Sequence, residues 1–547
     1  MHSESVTENL RFMIHEVGAQ VEQTLQFFAE PSRTMVEKIR SRDDYVDTLK
    51  SVIQEKTYDL LISTGRMEKN RINFLRSVNT IATNLERIAD FSVNMLRQAE
   101  HLTQIDFMTE YELDALFEEI LAGVDSVEKA LLSRDIALAF RICQCEFRLD
   151  SLYENRFKQI LSDLQNHGHA GNLVTALMIL HYLERMGDSL LNIGEAIIFS
   201  LVGEKLKIQQ YAALTESLNA SGMDTPISEV EFESIWGTRS GCRIGRVGDK
   251  EPEKSARPVL FKHGNLKKIV KEKYNIEAWD LLVPGLAPAV CGFVEGRDNE
   301  GSILLEYLPG CTFQELVLTG NEAGMRDALF IIEETTGYVW ETTMKEGKVV
   351  AGFVQQILNR LEVVYRLHPQ LLSKPAQING LQVLSFGELL RAVEKCEADL
   401  FCPFSVFTHG DFNVNNIIYD FGQERIHYID LHRSAQTDYV QDVSVFLVSL
   451  FRLPVFDKPI RGRLNFAIMD FFEFAKKFAE DNRDQTFEAR LALGLARSFF
   501  TSTRFELNHR FSRKMYNLSV YLMEKLLSHQ GRPWESFELP GETLVYA

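Results

Sequence analysis

Proline is nearly absent from the first two hundred residues: of 14 in the chain, Pro31 alone falls between positions 8 and 210. Each internal proline costs a helix one hydrogen bond and adds a clash, so this half is free to form long uninterrupted helices. Cysteine is also scarce, with seven residues scattered without metal-type spacing and one close pair, Cys143-x-Cys145, inside a helical pattern. An odd, unclustered set argues against a disulfide framework and for free thiols in a reducing compartment. Long apolar runs are missing too. The most apolar stretch, Val443 to Phe456, is interrupted by Arg452 and Pro454 and is too short to span a bilayer. Basic charge is short as well: 59 Lys and Arg against 77 Asp and Glu leave a net charge of -18, which disfavours partners held through nucleic-acid phosphates or anionic lipid. The start, Met1-His2-Ser3-Glu4-Ser5, lacks the apolar core of a secretory signal, so the expectation is a cytoplasmic protein with no membrane span.

What is present is ordinary globular material, 45% hydrophobic and 25% charged over 547 residues, enough for two or three domains. Phe74, Val78, Ile81, Leu85, Ile88, Ser92 and Met95 recur at helical spacing, and the segment 8–213 is expected to be helical throughout. From Ser217 to Ser228 the pattern breaks into Ser, Asn, Gly, Asp, Thr and Pro, which places a linker at 214–234. Beyond it, in 235–547, short β-type runs occur at Cys242 to Val247, Pro258 to Lys262, Ala289 to Val294 and Ser302 to Tyr307. After Thr312 most of the chain reads as helix, except for Ile417 to Tyr419 and Ile426 to Ile429, which flank Gly422 as a hairpin. A β-rich lobe leading into a helical lobe is the outline of an α+β enzyme.

The helical half contains a repeat. Leu85-Glu86-Arg87-Ile88-Ala89-Asp90 with Asn94 returns as Leu183-Glu184-Arg185-Met186-Gly187-Asp188 with Asn192, at a constant offset of 98 residues. Glu, Asp and Asn stand four residues apart in each copy and so share one helix face, roughly opposite the apolar stripe. A single copy would read as a solvated acidic stripe; two copies on neighbouring helices could offer oxygen ligands to a shared hard cation. At these residues the sequence resembles the PhoU family of phosphate-uptake regulators over about residues 8 to 210. The resemblance implies a six-helix bundle of two three-helix repeats with Glu86, Asp90, Glu184 and Asp188 as metal ligands, and Asn94 and Asn192 as weaker candidates.

The strongest signal is Thr408-His409-Gly410-Asp411-Phe412-Asn413-Val414-Asn415-Asn416, followed by Ile429-Asp430. Phosphoryl transfer needs a carboxylate for the acceptor hydroxyl and oxygen ligands for magnesium. The interval from Asp411 to Asn416 equals the Asp-to-Asn interval of the protein-kinase catalytic loop, and Asp430 ends a short strand where a metal-binding Asp would stand. Asp411 is therefore expected as base, Asn416 and Asp430 as magnesium ligands, and His409 as a buttress of the loop. The set resembles the aminoglycoside phosphotransferase and choline kinase superfamily over about residues 235 to 530, and Asp438 and Asp442 fit that family's Asp-x-x-x-Asp segment, with Asp442 bracing the loop. Nothing after Asp430 matches Phe-Gly or Ala-Pro-Glu, which argues against protein-kinase activation-loop control.

In the β-rich lobe a kinase needs a lysine on the phosphates and a helix glutamate to hold it. Lys262 with Glu277 is the expected pair, with Glu272 as runner-up. Leu304 to Gly310 resembles the family's hinge, which implies adenine contacts from the backbone of Glu306, Tyr307 and Leu308. Gly237 to Arg243 is the expected phosphate-covering loop, though it lacks Gly-x-Gly-x-x-Gly spacing. The whole reads as an all-α PhoU-like bundle followed by an α+β bilobal protein-kinase-like domain. Its expected function is a phosphotransferase using ATP and Mg2+ on a small-molecule hydroxyl, with further metal ions and a protein partner or self-association through the helical domain. The alternative is a nucleotide-binding adaptor in phosphate signalling that has lost turnover.

Overall fold

The computed structural model describes residues 2–63, 68–166, 169–202, 210, 213–214, 216–218, 230–234, 243–249, 258–296, 299–319, 321–372, 376–378, 381–455 and 457–546. Residues 219–229 of the expected linker and Gly237 to Cys242 of the expected phosphate-covering loop lie outside them. The chain divides into two compact units, 1–263 with 292–296, and 264–291 with 297–547. β1 (Val230–Ser234) touches the last long helix of the first unit and draws β2 (Arg243–Asp249) and β3 (Val259–Asn265) with it through antiparallel pairing.

The first unit opens with six long helices: α1 (His2–Ala29), α2 (Arg33–Ser63), α3 (Lys69–Ala99), α4 (Leu113–Leu132), α5 (Ile136–Asn166) and α6 (Ala170–Val202). Of the residues expected on the α3 stripe, Val78, Ile81, Leu85, Ile88, Ser92 and Met95 are buried while Phe74 is half-buried; Leu75 is buried in addition, and Ala82 and Ala89 let neighbours approach. Each such aliphatic burial stabilises by about 1.5–3 kcal/mol, which makes this stripe the source of the helix's fixed orientation. α3 packs against α1, α2 and α6, and α6 against α4 and α5, so the two acidic repeats stand on adjacent helices. Phe91 stacks on Tyr182 across that α3–α6 seam at 5.9 Å.

The second unit begins at α7 (Leu266–Leu282); after β4 (Val290–Glu295), whose residues from 292 on belong to the first unit, it continues through β5 (Glu300–Glu306), β6 (Cys311–Thr312), α8 (Phe313–Thr319) and α9 (Glu322–Thr343). There follow β7 (Lys345–Val349), α10 (Phe353–Leu367), the short β8 (Ala376–Ile378) and β9 (Leu381–Val383), α11 (Phe386–Glu397), β10 (Cys402–Thr408), β11 (Ile417–Asp420), β12 (Arg425–Tyr428) and β13 (Ala435–Thr437). Four helices close the chain: α12 (Val440–Phe451), α13 (Lys458–Asp481), α14 (Phe487–Ser502) and α15 (His509–His529). The expected hairpin is present, with Ile417 opposite Tyr428 and Asp420 opposite Arg425.

The sequence reading is corrected at β7, β10 and β13, which lie in a stretch expected to be helical apart from that hairpin. Residues 402–408 alternate buried and accessible around Phe404, Val406 and Thr408, and the register shift between Cys402 and Phe404 accommodates Pro403, which has no N–H to give the ladder. β10 pairs with β7 on one side and β13 on the other, and it delivers the chain into His409. Among the described residues no helix is long and apolar enough to cross a membrane.

Candidate functional site

The loop after β10 is held by its backbone. Gly410 adopts φ +79°, and a Cβ there would sit 2.3 Å from the Arg433 carbonyl oxygen, so only glycine fits the turn. The N–H groups of His409 and Gly410 both donate to the Asp442 carboxylate, at 2.7 and 2.8 Å. Asp442 is buried in the first turn of α12; burial pushes its pKa up to about 7, against the pull of those two N–H groups. Its own position is fixed upstream, where buried Asp438 and Asp484 share the Arg490 guanidinium and the Tyr439 hydroxyl donates to Asp484 at 2.6 Å. Breaking such a buried, fully paired set by removing one member typically costs 3–5 kcal/mol.

His409 is fully buried, with its ring spanning two backbone groups. Nδ1 accepts from the Asp411 N–H at 3.3 Å, so the proton resides on Nε2, which donates to the Ile429 carbonyl at 3.1 Å. Burial lowers its pKa to about 4, despite the opposing charges of Asp411 and Asp430, and the ring is neutral at physiological pH. The histidine joins the loop after β10 to the end of β12.

Asp411 accepts at Oδ2 from Arg433 Nη1 at 2.9 Å. Its carbonyl accepts from Asn416 Nδ2 at 2.9 Å, which leaves the Asn416 Oδ1 as that side chain's remaining donor atom for a cation. The Ile429 N–H donates to the Asn416 carbonyl at 3.0 Å, so Asp430 emerges one residue beyond this pairing. Asp430 itself is left-handed, φ +62°, a conformation a non-glycine residue holds only where its surroundings fix it. Ligand atoms of Glu272, Asp430 and His432 lie within 4.8 Å of one another, with His432 Nδ1 3.1 Å from Asp430 Oδ1. Two carboxylates and an imidazole nitrogen are a donor set that could hold a divalent cation.

The helix glutamate differs from the one ranked first in the sequence. On α7 the buried positions are Ile269, Glu272, Ile276 and Trp279, one face of the helix, and that face is clasped to the loop after Asp430. Asn275 donates to the Leu431 carbonyl at 2.7 Å and Trp279 to Ser434 Oγ at 2.9 Å. Glu277 points away, half exposed, with Lys273 3.8 Å from its carboxylate. Glu272, the runner-up, is the inward carboxylate. Helical phase decides between them: five residues correspond to about 500°, which carries Glu277 off the buried face.

Lys262 is buried on β3. In the hinge-like segment the Glu306 N–H donates to the Ala289 carbonyl at 2.9 Å and its carboxylate accepts from the Ala289 N–H; Tyr307 follows and Leu308 is buried. His432, Arg433 and Gln441 join the site without having been singled out in the sequence. Gln441 donates to the Gly410 carbonyl at 3.2 Å. The legible signal for the first two was their place within three residues of Asp430; for Gln441 it was adjacency to Asp442.

In the helical unit each repeat's motif gathers with carboxylates of a neighbouring helix. Glu86 and Asp90 gather with Asp43 and Asp47 of α2, while Glu184 and Asp188 gather with Glu146 and Asp150 of α5. Each motif thus pairs with the preceding helix of its own repeat, whose carboxylates, Asp47 and Asp150 among them, belong to the clusters. Burial, then the charges of Asp90, Asp47 and Asp44, lifts Asp43 to about 6; burial, then Asp150, Asp188 and Glu184, lifts Glu146 to about 7. Carboxylate oxygens are donors of the kind a hard cation takes, and Lys50 at 2.7 Å from Glu86 and Arg185 at 2.5 Å from Asp188 are the present counter-charges.

Comparison with known proteins finds a different family model on each part of the chain. The PhoU domain model matches residues 10–99 and 112–197, and the ecdysteroid kinase-like family model matches residues 329–461. The helical region is similar to the phosphate-specific transport system accessory protein PhoU homolog 1 of Thermotoga maritima, 26% identical over 199 residues, covering 36% of this chain and 85% of that protein. It is similar also to the PhoU homolog of Clostridium acetobutylicum, at 22% identity, covering 38% of this chain and 96% of that protein. Among solved structures, PhoU from Pseudomonas aeruginosa matches at 20% identity and TM-score 0.34, covering 37% of this chain and 98% of that one. An aminoglycoside phosphotransferase in ternary complex with ADP and hygromycin B matches at 11% identity and TM-score 0.38, covering 60% and 99%. This chain therefore carries PhoU domains in its N-terminal region and an ecdysteroid kinase-like domain in its C-terminal region.

Proposed function

We propose that the C-terminal region transfers the γ-phosphoryl group of ATP to a hydroxyl of a small molecule, and that the PhoU domains regulate it and hold metal ions. The observation that carries this reading is the convergence of Asp411, Asn416 and Asp430, joined by the Asn416 side chain on the Asp411 carbonyl at 2.9 Å and by the Ile429–Asn416 backbone bond at 3.0 Å.

Asp411 takes the acceptor's proton as its oxygen attacks phosphorus. Arg433 pairs with that carboxylate and orients it, and neutral His409 fixes the loop without competing for the proton. Asn416 and Asp430 are the residues that would hold magnesium, which when bound would neutralise charge on the phosphates. Lys262 is assigned to the phosphates, Glu272 rather than Glu277 to the inward carboxylate of α7, and the backbone from Glu306 to Leu308 to the adenine. The domain limits that go with this reading are 8–213 for the PhoU-like part and 235–547 for the kinase-like part.

The test is ATP consumption with magnesium over a panel of alcohols, comparing wild type with Asp411→Asn. Loss of the base should lower kcat by roughly 10²–10⁴-fold with nucleotide affinity retained; full turnover in the variant would remove Asp411 from the role.

A further inference from the structure

The surroundings of Asp411 are rich in arginine. Arg433 pairs with it directly. Arg497, on α14, is 6% exposed; its Nη2 is held by Gln441 Oε1 at 3.0 Å and Ser444 Oγ at 3.1 Å, while its Nε is buried with no hydrogen-bond partner. Arg504, just beyond α14, lies with its guanidinium 4.4 Å from the Phe505 ring centroid, and its Nε too is buried and unpartnered. Burial lowers the pKa of both to about 10, and for Arg504 the like charges of Arg360 and Arg433, and more weakly Arg452, add to that against Asp411. Unpaired guanidinium N–H groups out of water cost free energy, and gathering cations adds repulsion. Both penalties disappear when an anion with a planar or tetrahedral oxygen set enters, because guanidinium groups match carboxylate and phosphate. A cationic acceptor would meet the opposite field. This concentration stands out in a chain of net charge -18.

We infer that the acceptor is an anionic alcohol, a hydroxyl compound whose carboxylate or phosphate group is held by Arg504 and Arg497, with Arg360 and Arg433 adding to the field, beside the base Asp411. The inference rests on the phosphotransferase reading and narrows its substrate class. The acceptor oxygen forms a bond to the γ-phosphorus as the bond from that phosphorus to the ADP oxygen breaks; the hydroxyl proton passes to Asp411, and ADP leaves with the electron pair.

Matched acceptors decide the matter: glycerol, glycerate and glycerol 3-phosphate; glucose, gluconate and glucose 6-phosphate; with glucosamine and choline as cations. The carboxylate and phosphate arms separate the two anionic chemistries. Turnover is measured on the full chain with Mg-ATP, and binding of the same compounds by calorimetry without nucleotide, for wild type, Arg504→Gln, Arg504→Lys and the exposed-site variant Arg360→Gln. The expected result is a preference of at least tenfold in kcat/KM for one anionic arm. In Arg504→Gln the KM for the acceptor should rise at least tenfold with KM for ATP unchanged, with a smaller rise in Arg360→Gln and partial recovery in Arg504→Lys. Preference for neutral or cationic acceptors with unchanged KM in both glutamine variants overturns the inference and leaves the kinase reading standing, as does a rise confined to KM for ATP. Anion binding that the variants lose, without turnover on any compound, sustains the anion site and overturns the kinase reading. Neither binding nor turnover overturns both.

Discussion

Single side chains in the C-terminal region are set by what their carboxylates and rings can reach. Asp442 accepts two backbone N–H groups and so shapes the loop after β10. Glu333, on α9, is the contrasting case: its Oε1 is buried with no hydrogen-bond partner, and burial, then the charges of Asp470 and Glu334, pushes its pKa up to about 7. A pKa raised on folding means a contribution to stability that is fully present below the unfolded value near 4.5 and lost as pH rises through about 7. Glu333→Gln should therefore stabilise the protein by about 1 kcal/mol at pH 8, after discounting for its partial exposure. The gain should vanish near pH 5, as thermal melts at the two pH values would record. An equal gain at both would mean that charge is not the cause.

At the scale of elements, the loop between β10 and β11 depends on a turn that no other residue type can make. Gly410→Ala places a methyl group against the Arg433 carbonyl at a positive φ, and is expected to destabilise by about 2 kcal/mol or more and to remove turnover. Urea unfolding with an activity assay would measure both; a variant with wild-type midpoint and rate would show that the turn is not constrained as described. The sequence made this loop legible because its chemistry is local: His409, Gly410, Asp411 and Asn416 lie within eight residues, and the hairpin that follows brings Asp430 alongside by simple antiparallel pairing. β10 was not legible, because Pro403 and a seven-residue run beside long helical patterns gave no sign of the two partner strands that make it a strand. The choice between Glu272 and Glu277 was open for a related reason, since both lie on one helix and only the packed face of α7 separates them.

For the whole molecule, the regulatory reading turns on the acidic clusters of the helical region. Protein purified without chelator should carry divalent metal, and Asp90→Ala combined with Asp188→Ala should lose most of it by elemental analysis; equal metal content would end the proposal. The same variant should melt no lower than wild type in the presence of chelator, because removing carboxylates relieves the repulsion that lifts Asp43 and Glu146. The sequence by itself determined the helical repeat, the hairpin and the order of catalytic residues, because periodicity, duplication and short-range spacing are properties of neighbours along the chain. Only the tertiary structure decided that each acidic motif joins the helix before it, that Glu272 faces inward, and that Arg433 pairs with Asp411 while Arg497 reaches Gln441 beside the same loop. These residues are brought together by packing across long separations, where burial and repulsion depend on distance in space and leave no spacing in the sequence to read.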